Sequence, residues 1–347
     1  MISLNSNIRL KSYDLLIYEA LIRSLEESRI DSFIISKYRK NKAGYDGERN
    51  VDYKLSAYPL KNCIIIKGIR LPISSIHFQI DTLLLTKNLI VVLEIKNSKG
   101  TLHYDSKQRQ LTQELNGKMA AQKDPILQAE AQKNHLQEFL GECGIFGIPI
   151  ETLVVVAYPT TIINNIHKDP GVYKKFIHNE SLHIHLDRLF GLYPNEAMPL
   201  PMMHQLGNNL LKNDTPLRSD ILKLHGLHKT DFRTGVPCAK CNFSQMVPIK
   251  YSKWGCPKCD YTETDAHVRR ILDYFLLFGD TLTNRECREF LQIESPRTAY
   301  RILNSMNLKF AGNNSARKYF APSLADFPQK SPLPDLSFKS LHGDYAY

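Results

Sequence analysis

The chain has 347 residues, 43% hydrophobic and 23% charged, which are ordinary proportions for a folded soluble protein and enough length for two or more domains. Its formal net charge is +10 and its pI about 9.1, a balance that favours a polyanionic partner, although solubility alone would also account for it. No apolar run is long enough to span a bilayer, the N-terminal MISLNSNIRLKSYDLL lacks the apolar stretch of a signal peptide, and seven cysteines, an odd number, argue against a disulfide framework; a cytoplasmic protein is expected.

Residues 1–40 read as an N-terminal helical segment, with YDLLIYEALIRSLEESR (13–29) carrying apolar residues at helical spacing. KNKAGYDGE (40–48) predicts a loop that places Glu48 at the start of a helix continuing through NVDYKLSAY (50–58). NCIIIKGIRL predicts a strand, and IHFQIDTLLLT (76–86) and residues 89–95 predict a hairpin turning at Lys87 and Asn88. DPILQAEAQKNHLQEFL (124–140) predicts a helix with Pro125 near its start and Leu127, Ala131, Leu136 and Leu140 on its apolar side. ETLVVVAYP (151–159) predicts a buried strand, and LHIHLDRLF (182–190) a short strand running into a helix, with His183 and His185 on one strand face. Strands first paired antiparallel and then joined through a helix to another strand indicate a mixed α/β core.

IVVLEIKNSKG (90–100) poses a chemical question, because Glu94 and Lys96 are built into the end of a strand that otherwise suits burial. Residues two apart share a strand face, so the two project together while Ile95 points the other way. Pairing across the hairpin runs roughly 81 against 94, which makes Asp81 and Glu94 cross-strand neighbours. Two carboxylates so close repel each other, and a hard divalent cation such as Mg²⁺ or Mn²⁺ relieves that repulsion. A lysine beside them can act on water or neutralise charge on a phosphoryl transition state, so the parts suit metal-assisted phosphodiester hydrolysis. Glu-x-Lys alone carries no information; the surroundings do.

GYDGE, QID, LEIKNSKG and DPILQ, in this order, resemble the nuclease-related domain (NERD) family, a branch of the PD-(D/E)XK nuclease superfamily. The resemblance covers about residues 40 to 160. It implies a restriction-endonuclease-like mixed sheet flanked by helices, within a domain expected over 41–230 with its motif core at 44–160. It also implies that Asp81 and Glu94 bind the metal, that Lys96 is the catalytic lysine, and that Glu48 is an additional acidic residue on the first core helix. Gln79 and Gln128 match positions that line the site. Thr82 departs from the family, which often has His after QID.

Farther on, CAKC (238–241) and CPKC (256–259) lie fourteen residues apart. Each pair brings two thiolates to one ion, and Cys238, Cys241, Cys256 and Cys259 together predict a closed, structural Zn²⁺ site in a ribbon over 233–263. A redox dithiol is the rival reading. Cys63, Cys143 and Cys287 are expected in the core. Lys240, Lys250, Lys253 and Lys258 interleave with Phe243, Tyr251, Trp254 and Tyr261; these suit phosphates and bases, or the aromatics simply pack the ribbon.

Residues 265–322 predict three helices and a hairpin, a pattern that resembles a winged helix-turn-helix. Thr283 and Glu286 form a capping box, Ser295 and Pro296 begin the third helix, and LKFAGNNSARKYFA reads as the wing. Arg297, Tyr300, Arg301 and Asn304 would face DNA, and Arg317 and Lys318 would lie on the wing. Residues 323–347, rich in Pro and Ser, are expected to be disordered. The whole reads as a metal-dependent nuclease of nucleic acid, DNA before RNA. The alternative is a DNA-binding regulator or adaptor whose nuclease fold no longer cuts.

Overall fold

The computed structural model describes residues 8–59, 62–241, 244–250, 253–330 and 333. These divide into two compact units, one of residues 8–9 and 42–216, the other of residues 10–41 and 217–330. Helix α1 (Tyr13–Ser24) is capped by Ser12, whose hydroxyl accepts from the Leu15 amide. Helix α2 (Ser32–Ala57) is continuous through KNKAGYDGE, where composition predicts a loop, and Glu48 lies in its middle rather than at its start. The cause is tertiary. A Cβ on Gly47 would lie 2.4 Å from the Asn97 Cβ, so this glycine lets the helix approach the end of the central strand, and Asn97 Nδ2 donates to the Ala43 carbonyl at 2.7 Å.

The first unit is built on a five-stranded sheet. Strands β1 (Ile64–Ile73), β2 (Ile76–Leu85) and β3 (Ile90–Lys96) form an antiparallel meander. Thr86 and Leu89 close the β2–β3 turn around Lys87 and Asn88. A second sheet, which the sequence reading did not anticipate, begins with β4 (Thr101–Asp105), β5 (Gln110–Leu115) and β6 (Lys118–Gln122). Helix α3 (Pro125–Glu142) then crosses to β7 (Ile150–Val156), which pairs parallel with β3. Strand β8 (Ile162–Asn165) pairs parallel with β4; α4 (Pro170–Lys175) leads to β9 (Phe176–His178), parallel to β7. The strand orders are β1-β2-β3-β7-β9 and β6-β5-β4-β8. Helices α5 (Leu182–Leu192) and α6 (Leu200–Lys212) complete this unit. Leu182, Leu186 and Leu189 are buried at helical spacing, so the segment carrying His183 and His185 is helix throughout rather than strand.

Strand alternation assigns the two faces of the sheet. Ile90 and Val92 pack with α3 and α6, whereas Val91, Leu93 and Ile95 pack with Val51 and Leu55 of α2 and with α5. Glu94 and Lys96 therefore look toward α3. On α3 itself the buried face is Ile126, Ala129, Gln132, Leu136, Phe139 and Leu140; Leu127 and Ala131, expected inside, are exposed. A polar Gln132 within that face shifts the apparent stripe. Alternation slips once, where Gly68 adopts φ +66°: the ladder pairs Lys67 with Thr82 and Ile69 with Ile80, and Asp81 stands at the break.

The second unit has one hydrophobic core shared by the segments expected separately as 1–40, 233–263 and 265–322: Leu16, Ile17 and Leu21 of α1 lie in it with Met246, Trp254, Ile271 and Phe275. After α7 (Ile221–Leu224), strands β10 (Val236–Pro237), β11 (Gln245–Lys250), β12 (Lys253–Gly255) and β13 (Thr262–Thr264) form an antiparallel sheet. Helix α8 (Ala266–Phe278), β14 (Thr281–Thr283), α9 (Asn284–Leu291), α10 (Pro296–Ser305), β15 (Phe310–Ala311) and β16 (Lys318–Phe320) follow, the strands in the order β14-β16-β15. The Thr283–Glu286 capping box and the Ser295 cap before Pro296 are both present. Buried Arg23 is held by Asp273 through bonds of 3.0 and 2.6 Å. Phe327 is buried against Tyr13, so structure continues past 323, where disorder is expected; residues 331–332 and 334–347 lie outside the described residues.

Candidate active site and metal centre

Glu94 is 2% exposed and both its oxygens are held. Oε1 lies 2.7 Å from Lys96 Nζ, and Oε2 accepts from Gln132 Nε2 at 2.7 Å. Lys96 Nζ also donates to Gln128 Oε1 at 3.0 Å. Asp81 Oδ2 accepts from the Ile95 amide at 2.9 Å, which ties the β2 carboxylate to the strand that carries Glu94. Burial pushes the Asp81 carboxyl well above the usual aspartate range, as do the nearby charges of Glu94 and then Glu48; the Ile95 amide and Lys96 pull it back down. Burial also raises Glu48, with Arg9 opposing it and Asp52 adding to it.

Arg9, which the sequence reading passed over, organises the α2 side. Its buried guanidinium donates to Glu48 Oε2 at 2.7 Å and to both Asp52 oxygens at 2.9 and 3.0 Å. It also reaches the Asp81 carbonyl at 2.9 Å and Thr82 Oγ1 at 2.6 Å. One planar fork thus locks α2 to β2 beside the acidic pair. Thr82 has a definite task here, since its hydroxyl receives Arg9. Gln132 is the other missed residue; a glutamine in an otherwise apolar helix stripe was its only signal. Gln79 is exposed opposite Arg70 and, among the described residues, stands outside this network. Glu48, Asp81, Glu94, Lys96 and Gln128 are brought to one end of the sheet.

The donors offered by Asp81, Glu94 and Glu48 are hard oxygens, which fit a cation of the Mg²⁺ or Mn²⁺ kind. Among the described residues, the four cysteines are the only group of three or more His, Cys, Asp or Glu whose ligand atoms all lie within 4.8 Å of one another. The carboxylates therefore do not close a three-membered cage, and a hard cation would complete its shell with water and substrate oxygens.

The four cysteines form a separate centre. Cys238 Sγ and Cys259 Sγ are 3.8 Å apart, and Cys241 Sγ and Cys256 Sγ 3.2 Å. Four sulfurs about 2.3 Å from one tetrahedral ion would be about 3.8 Å apart, so the set suits zinc and has no open position. Of the other cysteines, Cys287 is buried and Cys63 half-buried, but Cys143 is exposed rather than in the core.

Arg297, Tyr300, Arg301 and Asn304 share the exposed face of α10, with Ala299, Ile302 and Leu303 beneath. Arg317 stacks on Phe310 at 4.3 Å and Tyr300 at 5.5 Å, and Lys318 is exposed. Lys240, Lys253 and Lys258 are exposed on the cysteine-bearing sheet. Trp254 is not a surface aromatic: it is 1% exposed and donates to His267 Nδ1 at 3.0 Å, so its ring packs the core and is not offered to a base. Phe243 and Tyr251 lie outside the described residues, and Tyr261 is half-buried under Lys240.

No helix among the described residues is long and apolar enough to cross a membrane. No curated protein and no solved structure matches the chain. One family model does match: that of the nuclease-related domain (NERD), over residues 43–157, the segment that carries Glu48, Asp81, Glu94, Lys96 and Gln128.

Proposed function

We propose that this protein is a metal-dependent nuclease that hydrolyses phosphodiester bonds, DNA before RNA, with Asp81 and Glu94 holding the cation. The observation that carries the reading is the convergence of Asp81, Glu94 and Lys96 at one end of the sheet, with Asp81 bonded to the strand of the other two. A bound divalent cation would supply charge neutralisation for a phosphate and acidify water. Lys96 brings a positive charge toward the same point, where it can offset charge gained by the phosphoryl group. Gln128 orients Lys96 and Gln132 orients Glu94, so neither depends on substrate for its placement. Arg9 is a positioning residue: it fixes Glu48 without itself facing substrate.

The second unit supports binding. The order α8-β14-α9-α10-β15-β16 with strand order β14-β16-β15 supports a winged-helix reading, in which α10 would be the groove-entering helix. Arg297, Arg301, Arg317 and Lys318 supply charge for phosphates, and the exposed ribbon lysines, Lys253 among them, add to it.

Purified protein incubated with plasmid and linear DNA, in Mg²⁺, in Mn²⁺ and in EDTA, tests the proposal. Asp81→Ala and Glu94→Ala should abolish cleavage and leave zinc content and DNA binding intact; full cleavage by both would falsify the assignment. One observation favours the regulator or adaptor reading: Lys96 already neutralises Glu94. DNA binding with no metal-dependent nicking would establish that alternative.

A further inference from the structure

The β15–β16 hairpin that follows α10 leaves a phenylalanine in water. Phe310 opens the edge strand β15 and is 51% exposed. Its register partner Tyr319 is buried, the two ring centroids lying 6.0 Å apart, so only the inner ring fills the core. Arg317 sets its guanidinium over the Phe310 ring at 4.3 Å and over Tyr300 of α10, itself 46% exposed, at 5.5 Å. The backbone fixes this placement. Gly312 turns at φ +81°, where a Cβ would meet the Ala316 carbonyl oxygen at 2.6 Å, and a 3₁₀ turn over Asn314–Ala316 brings Arg317 back toward β16, its amide donating to the Asn314 carbonyl at 3.2 Å. Two open rings joined through a planar cation present flat, π-bearing faces to solvent.

We propose that Phe310, Arg317 and Tyr300 form a stacking platform for unpaired bases, so that the DNA this unit prefers carries unpaired nucleotides beside duplex. The choice of ligand class rests on the nucleic-acid reading above; the exposed rings and the cation between them do not. A base pair inside a duplex already has both faces stacked and offers a protein only its edges and its phosphates, whereas an unpaired base has a free face for a ring. Phosphates of the unpaired strand meet Lys309 and Lys318, the exposed neighbours of Phe310 and Arg317 in the chain. Arg297 and Arg301, exposed on α10, serve the phosphates of the adjoining duplex.

The zinc-loaded full chain, in buffer without Mg²⁺ or Mn²⁺, is titrated by fluorescence anisotropy against a blunt duplex, the same duplex with a short 3′ or 5′ tail, and a single strand. A 2-aminopurine placed in the tail reports stacking through its emission. The tailed duplex should bind roughly tenfold tighter than the blunt one, with a saturable change in 2-aminopurine emission. Phe310→Leu keeps apolar bulk and removes the ring, so it should lose the advantage of the tail and the emission change while blunt-duplex affinity stays. Phe310→Trp, which keeps a flat face, should retain both. Equal affinity of the wild-type chain for blunt and tailed duplexes, or an undiminished tail advantage in Phe310→Leu, overturns the proposal. So does a Phe310→Leu chain that loses blunt-duplex and tail binding alike, since the ring would then serve packing alone. Failure of the wild-type chain to bind any of the DNAs would overturn the nucleic-acid reading, and the platform with it.

Discussion

Two glycines three residues apart on α2 should respond oppositely to the same substitution. A Cβ on Gly44 meets nothing within 4 Å, so Gly44→Ala only removes chain entropy from the unfolded state and should stabilise by about 0.5–1 kcal/mol. Gly47→Ala gains the same entropy but puts a methyl 2.4 Å from Asn97 Cβ and 2.7 Å from its Cγ. Ordinary contact begins at 3.4 Å, so helix and strand end must part by about 1 Å. Overpacking of that kind costs about 1–3 kcal/mol, and loss of the Asn97–Ala43 bond about 1 kcal/mol more. The net expectation is destabilisation by about 1–3.5 kcal/mol, read as a lower urea midpoint. Glu48 follows Gly47 directly, so cleavage should fall by up to about 10²-fold. Adding Asn97→Gly removes the opposing side chain and should restore part of both. A Gly47→Ala protein as stable as Gly44→Ala and fully active would refute the close approach and its role in placing Glu48.

Asp81 binds its proton more tightly in the folded chain than in the unfolded one, so stability contributed by protonation is lost as pH rises from the usual aspartate value of 3.8 through the raised one. In magnesium-free buffer Asp81→Asn should therefore melt above the parent at neutral pH, with the gap closing under acid; added Mg²⁺ should stabilise the parent alone. Removing zinc by chelation, or Cys241→Ser, should red-shift Trp254 emission, because Cys238, Cys256 and the indole share one core, while Cys143→Ser at an exposed position should not. Arg297→Ala and Lys318→Ala should each weaken DNA binding across sequences and lower the slope of log affinity against log salt by about one.

The sequence made the acidic pair readable because two local rules fix it. A turn at Lys87 and Asn88 sets the hairpin register, and the strand period puts Glu94 and Lys96 on one face. The caps at Thr283 and Ser295 were readable for the same reason, since each is settled within four residues. Arg9 was not readable: it reaches Asp81 across 72 residues, and no spacing links SNIRL to QID. Gln132 misled the reading of α3, because ranking positions by hydrophobicity turned the stripe toward Leu127 and Ala131. Trp254 shows a different limit, as an aromatic among lysines looks the same in sequence whether it stacks on a base or fills a core.

The state of Glu94 bears directly on whether this fold cuts. A buried carboxylate must be compensated, and with no cation the compensation comes from Lys96 on Oε1 and Gln132 on Oε2. The two partners differ in freedom. Gln132 lies on the buried face of α3, whereas the Lys96 side chain is 20% exposed and is held by Gln128 at an oxygen farther along the helix start. A cation reaching Asp81 and Glu94 would displace the ammonium from Oε1 without unmaking the Gln132 bond, and Gln128 would retain it beside the site. The ion's charge would also offset the repulsion from Glu94 that adds to burial in lifting Asp81, taking over the smaller lowering effect that Lys96 has there. The ion pair therefore separates the two readings by one property: on the nuclease reading Mg²⁺ exchanges with Lys96 at Glu94, and on the adaptor reading the pair persists in Mg²⁺.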